Sequence, residues 1–223
     1  AAAARVRALG EPDAAIDVIG SHELDFHAGP SGVTLDEVRA RYDIPWSDFG
    51  ICAFHPVTSE AASMGAQADA IFGALEASGR PFVVIAPNND PGSEAIFARL
   101  ADLPADRFRV LPSMRFAHFS QMMKDAACMV GNSSAGVREA PFLGLPSLDI
   151  GSRQTNRASA PSITACAAGD ADAIAAFLAG EWGQRRPRDD GFGTGGAAGR
   201  FVAALARDGF WDRGLQKAFR DGD

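Results

Sequence analysis

Residues 126–157 read AACMVGNSSAGVREAPFLGLPSLDIGSRQTNR, and this stretch decides the fold class. Its apolar start leads through a predicted strand at 128–130 into a short polar turn. Residues 135–142 are compatible with a helix, and a second strand is predicted at 148–150. Strand, turn, helix and strand in this order are the repeating unit of a parallel sheet. A small hydroxyl-rich turn that opens a helix offers backbone N–H groups and the positive end of a dipole, which suits an anion.

Polar side chains within this stretch match a phosphate group attached to a sugar. Ser133 and Ser134 supply hydroxyl and backbone donors at the turn, although helix capping would favour serine equally. Arg153 and Arg157 follow the second strand, and guanidinium groups pair well with phosphate oxygens. Glu139 can accept hydrogen bonds from sugar hydroxyls; as an isolated helix residue it would more often be a solvated surface charge.

The same alternation of strands and helices continues over most of the chain. Short apolar runs predict the strands, including a nearly continuous one that is typical of a parallel strand buried on both faces. Helical periodicity predicts the segments between them. We therefore expect an α/β fold with a parallel sheet. The predicted strands are 16–19, 51–54, 82–86, 108–111, 128–130, 148–150 and 163–166, and the predicted helices are 1–10, 35–42, 61–78, 93–101, 116–126, 171–178, 199–207 and 211–219.

Polar residues follow four of these strands at the point where each strand ends. His55, Asn88, Asn132 and Arg153 follow the strands at 51–54, 82–86, 128–130 and 148–150, respectively. Ligands of open parallel sheets bind outside the carboxyl ends of the strands, so these side chains predict one binding edge. Histidine at such an edge suits proton transfer or phosphate contact, whereas the alternative is a hydrogen-bonded loop histidine.

Composition excludes several functional classes. The chain has 223 residues, 47% hydrophobic and 22% charged, which is ordinary for a soluble globular protein. A net charge of −7 argues against a nucleic-acid surface, and no apolar run approaches the roughly 20 residues that span a bilayer. The three cysteines show no metal-site spacing, which predicts reduced, buried thiols in a cytoplasmic protein.

Three features resemble functional motifs without their usual context. Residues 191–196, GFGTGG, fit the dinucleotide pattern G-x-G-x-x-G, but a charged loop precedes them where a strand is required. We expect a flexible turn there. His22 and His27 lack a convincing zinc spacing and are interpreted as structural, and His118 is predicted to be exposed on its helix.

Four motifs, in the right order, resemble those of the hydrolysing UDP-N-acetylglucosamine 2-epimerases. They are FHPVTSE at 54–60, APNNDPGS at 86–93, GNSSAGVREAP at 131–141 and GSRQTNR at 151–157. The resemblance runs from about residue 5 to Phe219 and covers part of a typical family member. It implies a Rossmann-like lobe of the two-lobed glycosyltransferase-B (GT-B) fold. Residues 1–47 would end the N-terminal lobe and connect it, and 48–223 would form the UDP-binding lobe with C-terminal helices.

The resemblance also assigns roles to individual residues. His55 would be the catalytic residue near the pyrophosphate, and Phe119 would stack on uracil, although it also fits the core of an amphipathic helix. Backbone groups at Met114 would read the edge of the base. The family usually has glycine where this chain has Asn156, so the match does not specify the turn there. The UDP-sugar contacts implied are Asn88, Met114, Phe119, Ser133, Ser134, Glu139, Arg153 and Arg157.

The implied reaction converts UDP-N-acetylglucosamine, or a close relative, into the free manno-configured sugar and UDP. No metal and no cofactor are implied, and the family's acid–base carboxylates belong to the other lobe, so we expect this chain to bind UDP with little turnover. Other GT-B glycosyltransferases, non-hydrolysing epimerases and UDP-sugar-binding modules without chemistry remain alternatives. Oligomeric state stays open, although the family tends to form dimers or tetramers.

Overall fold

A six-stranded parallel sheet forms the centre of the larger part of the chain. The computed structural model describes residues 2–212. The sheet has the strand order β3-β2-β1-β4-β5-β6, and all five pairings are parallel. The predicted α/β class is therefore confirmed. The strands are β1 (Gly50–Ala53), β2 (Phe82–Ile85), β3 (Phe108–Leu111), β4 (Met129–Gly131), β5 (Ser147–Ile150) and β6 (Ile163–Cys166).

Helices connect the strands and lie close to their predicted positions. The helix predicted at 61–78 begins as a 3-10 turn, Thr58–Ser63, before its α-helical part. The segment predicted as helical at 135–142 is a short α-helix followed by a 3-10 turn, Pro141–Leu143. The α-helices are α1 (Ala2–Ala8), α2 (Glu23–Ala28), α3 (Leu35–Tyr42), α4 (Met64–Ala77), α5 (Ser93–Ala101), α6 (Phe116–Asp125), α7 (Ser134–Arg138), α8 (Ala171–Glu181) and α9 (Ala197–Leu205).

Two hydrophobic clusters cover the two faces of the sheet. Successive strand residues point to opposite faces, so Cys52 lies in the cluster with α4, α5 and α8, whereas Ile51 lies in the cluster with α3 and α6. The three cysteines are free thiols; Cys52 and Cys128 are buried, as predicted, whereas Cys166 is half-buried. Burial raises the pKa of Cys52 to about 12, which keeps this thiol protonated.

Strand order reverses between β1 and β4, and Gly131 allows these strands to approach. Gly131 ends β4 with φ +126°, a conformation that side chains disfavour. A Cβ atom there would overlap the carbonyl group of Ala53 on β1. In an open parallel sheet, the crevice where the strand order reverses is the usual ligand site. Glycine at this position is therefore required by the backbone beside the expected site.

The described residues form two compact units. The larger one spans 29–191 and contains the sheet, and the smaller one combines 2–28 with 192–212. In the smaller unit, the Asp25 carboxylate accepts from the N–H groups of Ala197 (2.7 Å) and Ala198 (2.8 Å) at the start of α9. These bonds lower the pKa of Asp25. The first N–H groups of α9, the helix that follows the glycine-rich loop at 191–196, thus donate to a carboxylate of the chain itself. The lobe boundary predicted at residues 47/48 stays a prediction.

Two predictions about local structure are wrong. The predicted strand at 16–19 does not form. Its apolar residue Val18 is 75% exposed, and the carbonyl of Ile19 accepts from Arg200 Nε at 2.7 Å rather than from the backbone of a neighbouring strand. His118, predicted to be exposed, is buried because α6 packs against α3, where its Nδ1 lies 3.1 Å from the Tyr42 hydroxyl. The helix predicted at 199–207 is α9, whereas the one at 211–219 lies largely outside the described residues.

Candidate functional site

The carboxyl ends of β1 and β4 are joined by two hydrogen bonds between His55 and Asn132. His55 N–H donates to Asn132 Oδ1 at 2.7 Å, and Asn132 Nδ2 donates to the His55 carbonyl at 2.8 Å. Asn132 is only 1% exposed, so breaking this pair would leave polar groups without water to replace it. We call this two-bond pair the His55–Asn132 clamp; it fixes the backbone at the point where the strand order reverses.

The loops after β2 and β5 meet the clamp from either side. The backbone N–H of Asn88 donates to His55 Nδ1 at 3.3 Å. From the other side, Arg153 Nη1 (3.1 Å) and Gln154 Nε2 (2.8 Å) both donate to the carbonyl of Asn132. The structure therefore brings together the four polar residues that follow β1, β2, β4 and β5 in the sequence.

The surroundings of His55 favour its neutral form. Burial lowers its pKa first, and the nearby positive charge of Arg153 lowers it further, while Asp90 acts in the opposite direction. Since Nδ1 accepts from Asn88, the proton of the neutral ring lies on Nε2. His55 thus offers its Nε2–H as a hydrogen-bond donor. An anion bound beside the ring would raise the pKa of His55.

The lowered pKa of His55 predicts a specific dependence of stability on pH. At pH values between the lowered pKa of His55 in the folded chain and its ordinary pKa of 6.5, the unfolded chain binds more protons than the folded chain. This contribution to stability is complete above that window and is lost as the pH falls through it. We expect His55→Asn to reduce the stability change between about pH 7.5 and 5.5, by less than ~1.4 kcal/mol per pH unit.

Urea titrations at several pH values would measure this difference. The control is Asn89→Ala, because it replaces an exposed, uncharged side chain in the loop after β2 and leaves the set of titratable groups unchanged. An identical pH dependence for His55→Asn and the wild-type chain would contradict the proposed charge state.

Ser133 and Ser134 lie at the start of α7, next to the clamp. Ser133 is the N-cap and its side chain accepts weakly from Ala135 N–H at 3.4 Å, while Ser134 is the first helical residue. Both are half-buried. α7 packs closely on β5, since a Cβ at Gly136 would lie 2.7 Å from Ser147 Oγ. The two hydroxyl groups are therefore held by a helix that is fixed to the sheet.

Glu139 lies at the other end of α7, as its C-cap. A carboxylate is disfavoured by the helix dipole at this end, so helix electrostatics does not explain its position. Sequence reasoning placed it within the helix, whereas the helical part ends one residue earlier. Glu139 is therefore separated from the two serines only by the short helix α7.

Met114 and Phe119 share a hydrophobic cluster with the residues that flank α7. Both are half-buried against the cluster that contains Ala135 and Ala140. The position of Phe119 is therefore compatible with both interpretations, a core residue and a residue that stacks on uracil. One side of the ring packs in the core, and part of it stays accessible. The proposed base contacts and the serine turn belong to one packed region.

Arg157 is exposed at the end of a turn that contains Asn156. Asn156 adopts φ +62°, the left-handed conformation that glycine favours and asparagine tolerates. The N–H of Arg157 closes the turn on the Gln154 carbonyl at 3.0 Å. Asn156 thus adopts the backbone conformation that glycine favours. The hydrogen bond of the Arg157 N–H goes to Gln154 and not to the clamp residues His55 and Asn132.

Two residues near the clamp were missed by sequence reasoning. Gln154 shares the Asn132 carbonyl with Arg153, and Asp149, on β5, pairs in register with Gly131. Asp149 is 8% exposed, burial raises its pKa, and its Oδ1 has no hydrogen-bond partner within residues 2–212. The available signal was an acid inside the apolar strand SLDI.

No metal-binding arrangement accompanies these residues. Within the part of the chain that the structure describes, no three His, Cys, Asp or Glu side chains form a group that could hold a metal ion. None of the helices in residues 2–212 has the length and apolar character that crossing a membrane requires. The polar groups gathered around the clamp are amide, hydroxyl, imidazole, guanidinium and carboxylate groups.

A family model described as UDP-N-acetylglucosamine 2-epimerase matches residues 1–206. The chain belongs to the UDP-N-acetylglucosamine 2-epimerase family. A relative named UDP-N-acetylglucosamine 2-epimerase, from Neisseria meningitidis serogroup B, is 37% identical over 99% of this chain. A Legionella pneumophila relative, named UDP-N,N'-diacetylbacillosamine 2-epimerase (hydrolyzing), is 26% identical over 69% of it. The chain spans 59% of the Neisseria relative and 41% of the Legionella relative.

Solved epimerase structures share the fold. A structure of S. aureus MnaA with UDP matches 92% of this chain and 56% of its own, with a TM-score of 0.68 and 16% identity. A Methanocaldococcus jannaschii UDP-GlcNAc 2-epimerase, in complex with UDP-GlcNAc and UDP, matches 88% of this chain and 56% of its own, with a TM-score of 0.69 and 14% identity. The predicted Rossmann-like lobe of a GT-B fold is confirmed.

Proposed function

We propose that this chain is the UDP-binding part of a hydrolysing UDP-N-acetylglucosamine 2-epimerase. The observation that carries the proposal is the His55–Asn132 clamp at the strand-order reversal, with Arg153 bonded to it, in a chain of this family. In this proposal, residues 48–223 form the UDP-binding lobe, and residues 1–47 end the preceding lobe and connect the two.

The diphosphate would bind beside the clamp, between the serine turn and Arg153. The bond to the Asn132 carbonyl uses one of the five N–H donors of the Arg153 guanidinium, which leaves others of suitable geometry for phosphate oxygens. Ser133 and Ser134 would add hydroxyl and backbone donors. The positive charge that lowers the pKa of His55 would then face the negative charge of the ligand.

The nucleoside would extend along the region that α7 shares with α6. Glu139 would accept hydrogen bonds from the ribose hydroxyls, Phe119 would stack on uracil, and backbone groups at Met114 would contact its edge. Support comes from the packing of Met114 and Phe119 against the cluster that contains Ala135. Asn88 and Arg157 would contact the sugar and phosphate groups from the loops after β2 and β5.

The proposed reaction begins with removal of the proton at C2 of the sugar by a base of the other lobe. The C2–H electron pair forms a C1=C2 double bond, and the C1–O bond breaks with its electrons leaving on UDP. Water then supplies a hydroxyl group to C1 and a proton to C2 on the opposite face. Arg153, the two serines and the Nε2–H of His55 would stabilise the charge on departing UDP.

Two observations favour the hydrolysing reaction over the non-hydrolysing one. The motifs HPVTSE and RQTNR fit the hydrolysing branch, and the Legionella relative carries the word hydrolyzing in its name. Release of free N-acetylmannosamine with UDP would distinguish it from formation of a UDP-linked product, and from transfer to an acceptor by a glycosyltransferase.

Calorimetric titration with UDP tests the binding site. We expect micromolar binding by the wild-type chain, weakened about 10- to 100-fold by Arg153→Ala, because a hydrogen bond to a charged group is worth ~1.5–3 kcal/mol. Ser134→Ala should weaken binding about 3- to 10-fold, since one neutral donor is lost. The control is Arg107→Ala, which removes an equal charge just before β3, at the opposite end of the strands.

The same preparation is expected to bind UDP without appreciable turnover of UDP-N-acetylglucosamine. Absence of UDP binding by the wild-type chain, or equal weakening by Arg107→Ala, would contradict the assigned site. Substantial release of N-acetylmannosamine would contradict only the expectation that the chemistry needs carboxylates from the other lobe.

A further inference from the structure

Glu60 has both carboxylate oxygens bonded, and one of these bonds reaches the loop that carries Arg153. It lies in the 3-10 turn Thr58–Ser63 that follows the His55 motif. Its Oε1 accepts from the hydroxyl of Ser152, the residue before Arg153, and its Oε2 accepts from Gln67 Nε2 at 2.9 Å. These two bonds lower its pKa, so the carboxylate is ionised. Its hydrogen bonding suits a structural link better than proton transfer.

The Glu60–Ser152 bond closes a ring of covalent and hydrogen-bonded links beside the proposed diphosphate site. From His55 the chain leads directly to Glu60, which is bonded to Ser152. The next residue, Arg153, donates to the carbonyl of Asn132, and Asn132 returns to His55 through the clamp. Without the Glu60 bond, the loop after β5 would keep its links to Asn132 but lose its direct link to the β1 side.

We propose that Glu60 is a positioning residue, which holds the Arg153 loop through Ser152 so that the guanidinium faces the diphosphate. This role rests on the proposed function. A carboxylate close to a phosphate site repels the ligand, so an acid at this position lowers affinity by its charge alone. Positioning and charge repulsion therefore predict opposite effects for removal of Glu60, which makes the role testable.

Substitutions that separate shape from charge test this role by UDP titration. Glu60→Ala should weaken UDP binding about tenfold, equivalent to ~1.4 kcal/mol, while uridine binding changes less than about twofold. Glu60→Gln should stay within about threefold of wild type, because its amide oxygen still accepts from the Ser152 hydroxyl. Glu94→Ala is the control: it removes an exposed glutamate in the first turn of α5, after the β2 loop.

A double-mutant cycle identifies the partner. Ser152→Ala should reproduce the loss caused by Glu60→Ala, and the double variant should be no weaker than either single one, because both remove the same link. Hydrogen exchange of the amides at 151–157 provides a readout without ligand. We expect faster exchange there in Glu60→Ala and Ser152→Ala, and unchanged exchange in Glu94→Ala.

The outcomes separate this role from the proposed function. If the wild-type chain binds UDP, but Glu60→Ala and Glu60→Gln both bind it more tightly, the carboxylate acts by its charge and the positioning role is overturned. Unchanged exchange at 151–157 in Glu60→Ala would overturn it as well. If the wild-type chain binds no UDP, the proposed function itself fails, and the role of Glu60 fails with it.

Discussion

Gly131→Ala is expected to lower the free energy of unfolding by about 4 kcal/mol or more, a large part of the 5–15 kcal/mol typical of a domain. The new methyl group would overlap the Ala53 carbonyl in the middle of the sheet, and the residue would have to keep φ +126°. The atom that it meets is backbone, which cannot rotate away as a side chain would. Relief requires β1 and β4 to separate, and this also opens the clamp.

Urea denaturation followed by circular dichroism would measure the effect. Gly73→Ala is the matched control, because Gly73 lies inside α4 and a Cβ there would have no atom within 4 Å. This control should gain about 0.5–1 kcal/mol from the lower backbone entropy of alanine. A Gly131→Ala variant within about 1 kcal/mol of the wild type would show that the two strands tolerate separation, contrary to this structure.

Asn132→Asp is expected to reduce UDP affinity about 100-fold or more, since it removes a donor and adds a charge to the anion site. The new side chain has the same shape, and one oxygen can still accept from His55 N–H. The other oxygen would face the His55 carbonyl, where Asn132 Nδ2 donates at 2.8 Å. Two acceptors would then meet in a buried place, with an expected loss of stability of about 2–4 kcal/mol.

The charge effect can be separated by Asn89→Asp, an equally small change at an exposed asparagine in the loop after β2. This control should bind UDP within about threefold of the wild type, because no hydrogen bond of the clamp is lost. The destabilisation by Asn132→Asp should shrink near pH 4 and below, because a protonated acid can donate to the carbonyl. Equal UDP affinities of the two variants would contradict the importance of the clamp.

The sheet and the edge at which the candidate site residues meet could be predicted because they depend on local sequence. Buried parallel strands are short apolar runs, and the run at 82–86 contains β2, Phe82–Ile85. The polar residues that follow these runs meet because all strands of a parallel sheet end at the same edge. His55, Asn88 and Arg153 were therefore placed correctly relative to one another without knowledge of their bonds.

The remaining features depend on contacts between segments that are distant in sequence. His118 is buried because α6 packs against α3, where Tyr42 contacts its ring, and helical periodicity does not reveal which helix packs there. The bond between Glu60 and Ser152 joins two motifs that the sequence shows separately. Asn156 could not be assigned its left-handed conformation from its identity alone, because asparagine adopts both signs of φ.

The pairing of β1 with β4 also has a consequence for how the chain folds. Ile51 pairs with Val83 on one side and with Met129 on the other, so the second edge of β1 stays unpaired until β4 has been synthesised and docked. Closing so long a loop costs entropy before any contact compensates for it, which slows folding of parallel sheets. Nascent chains that stop before β4 expose an apolar strand edge, so the strand that precedes His55 is also where premature termination would promote aggregation.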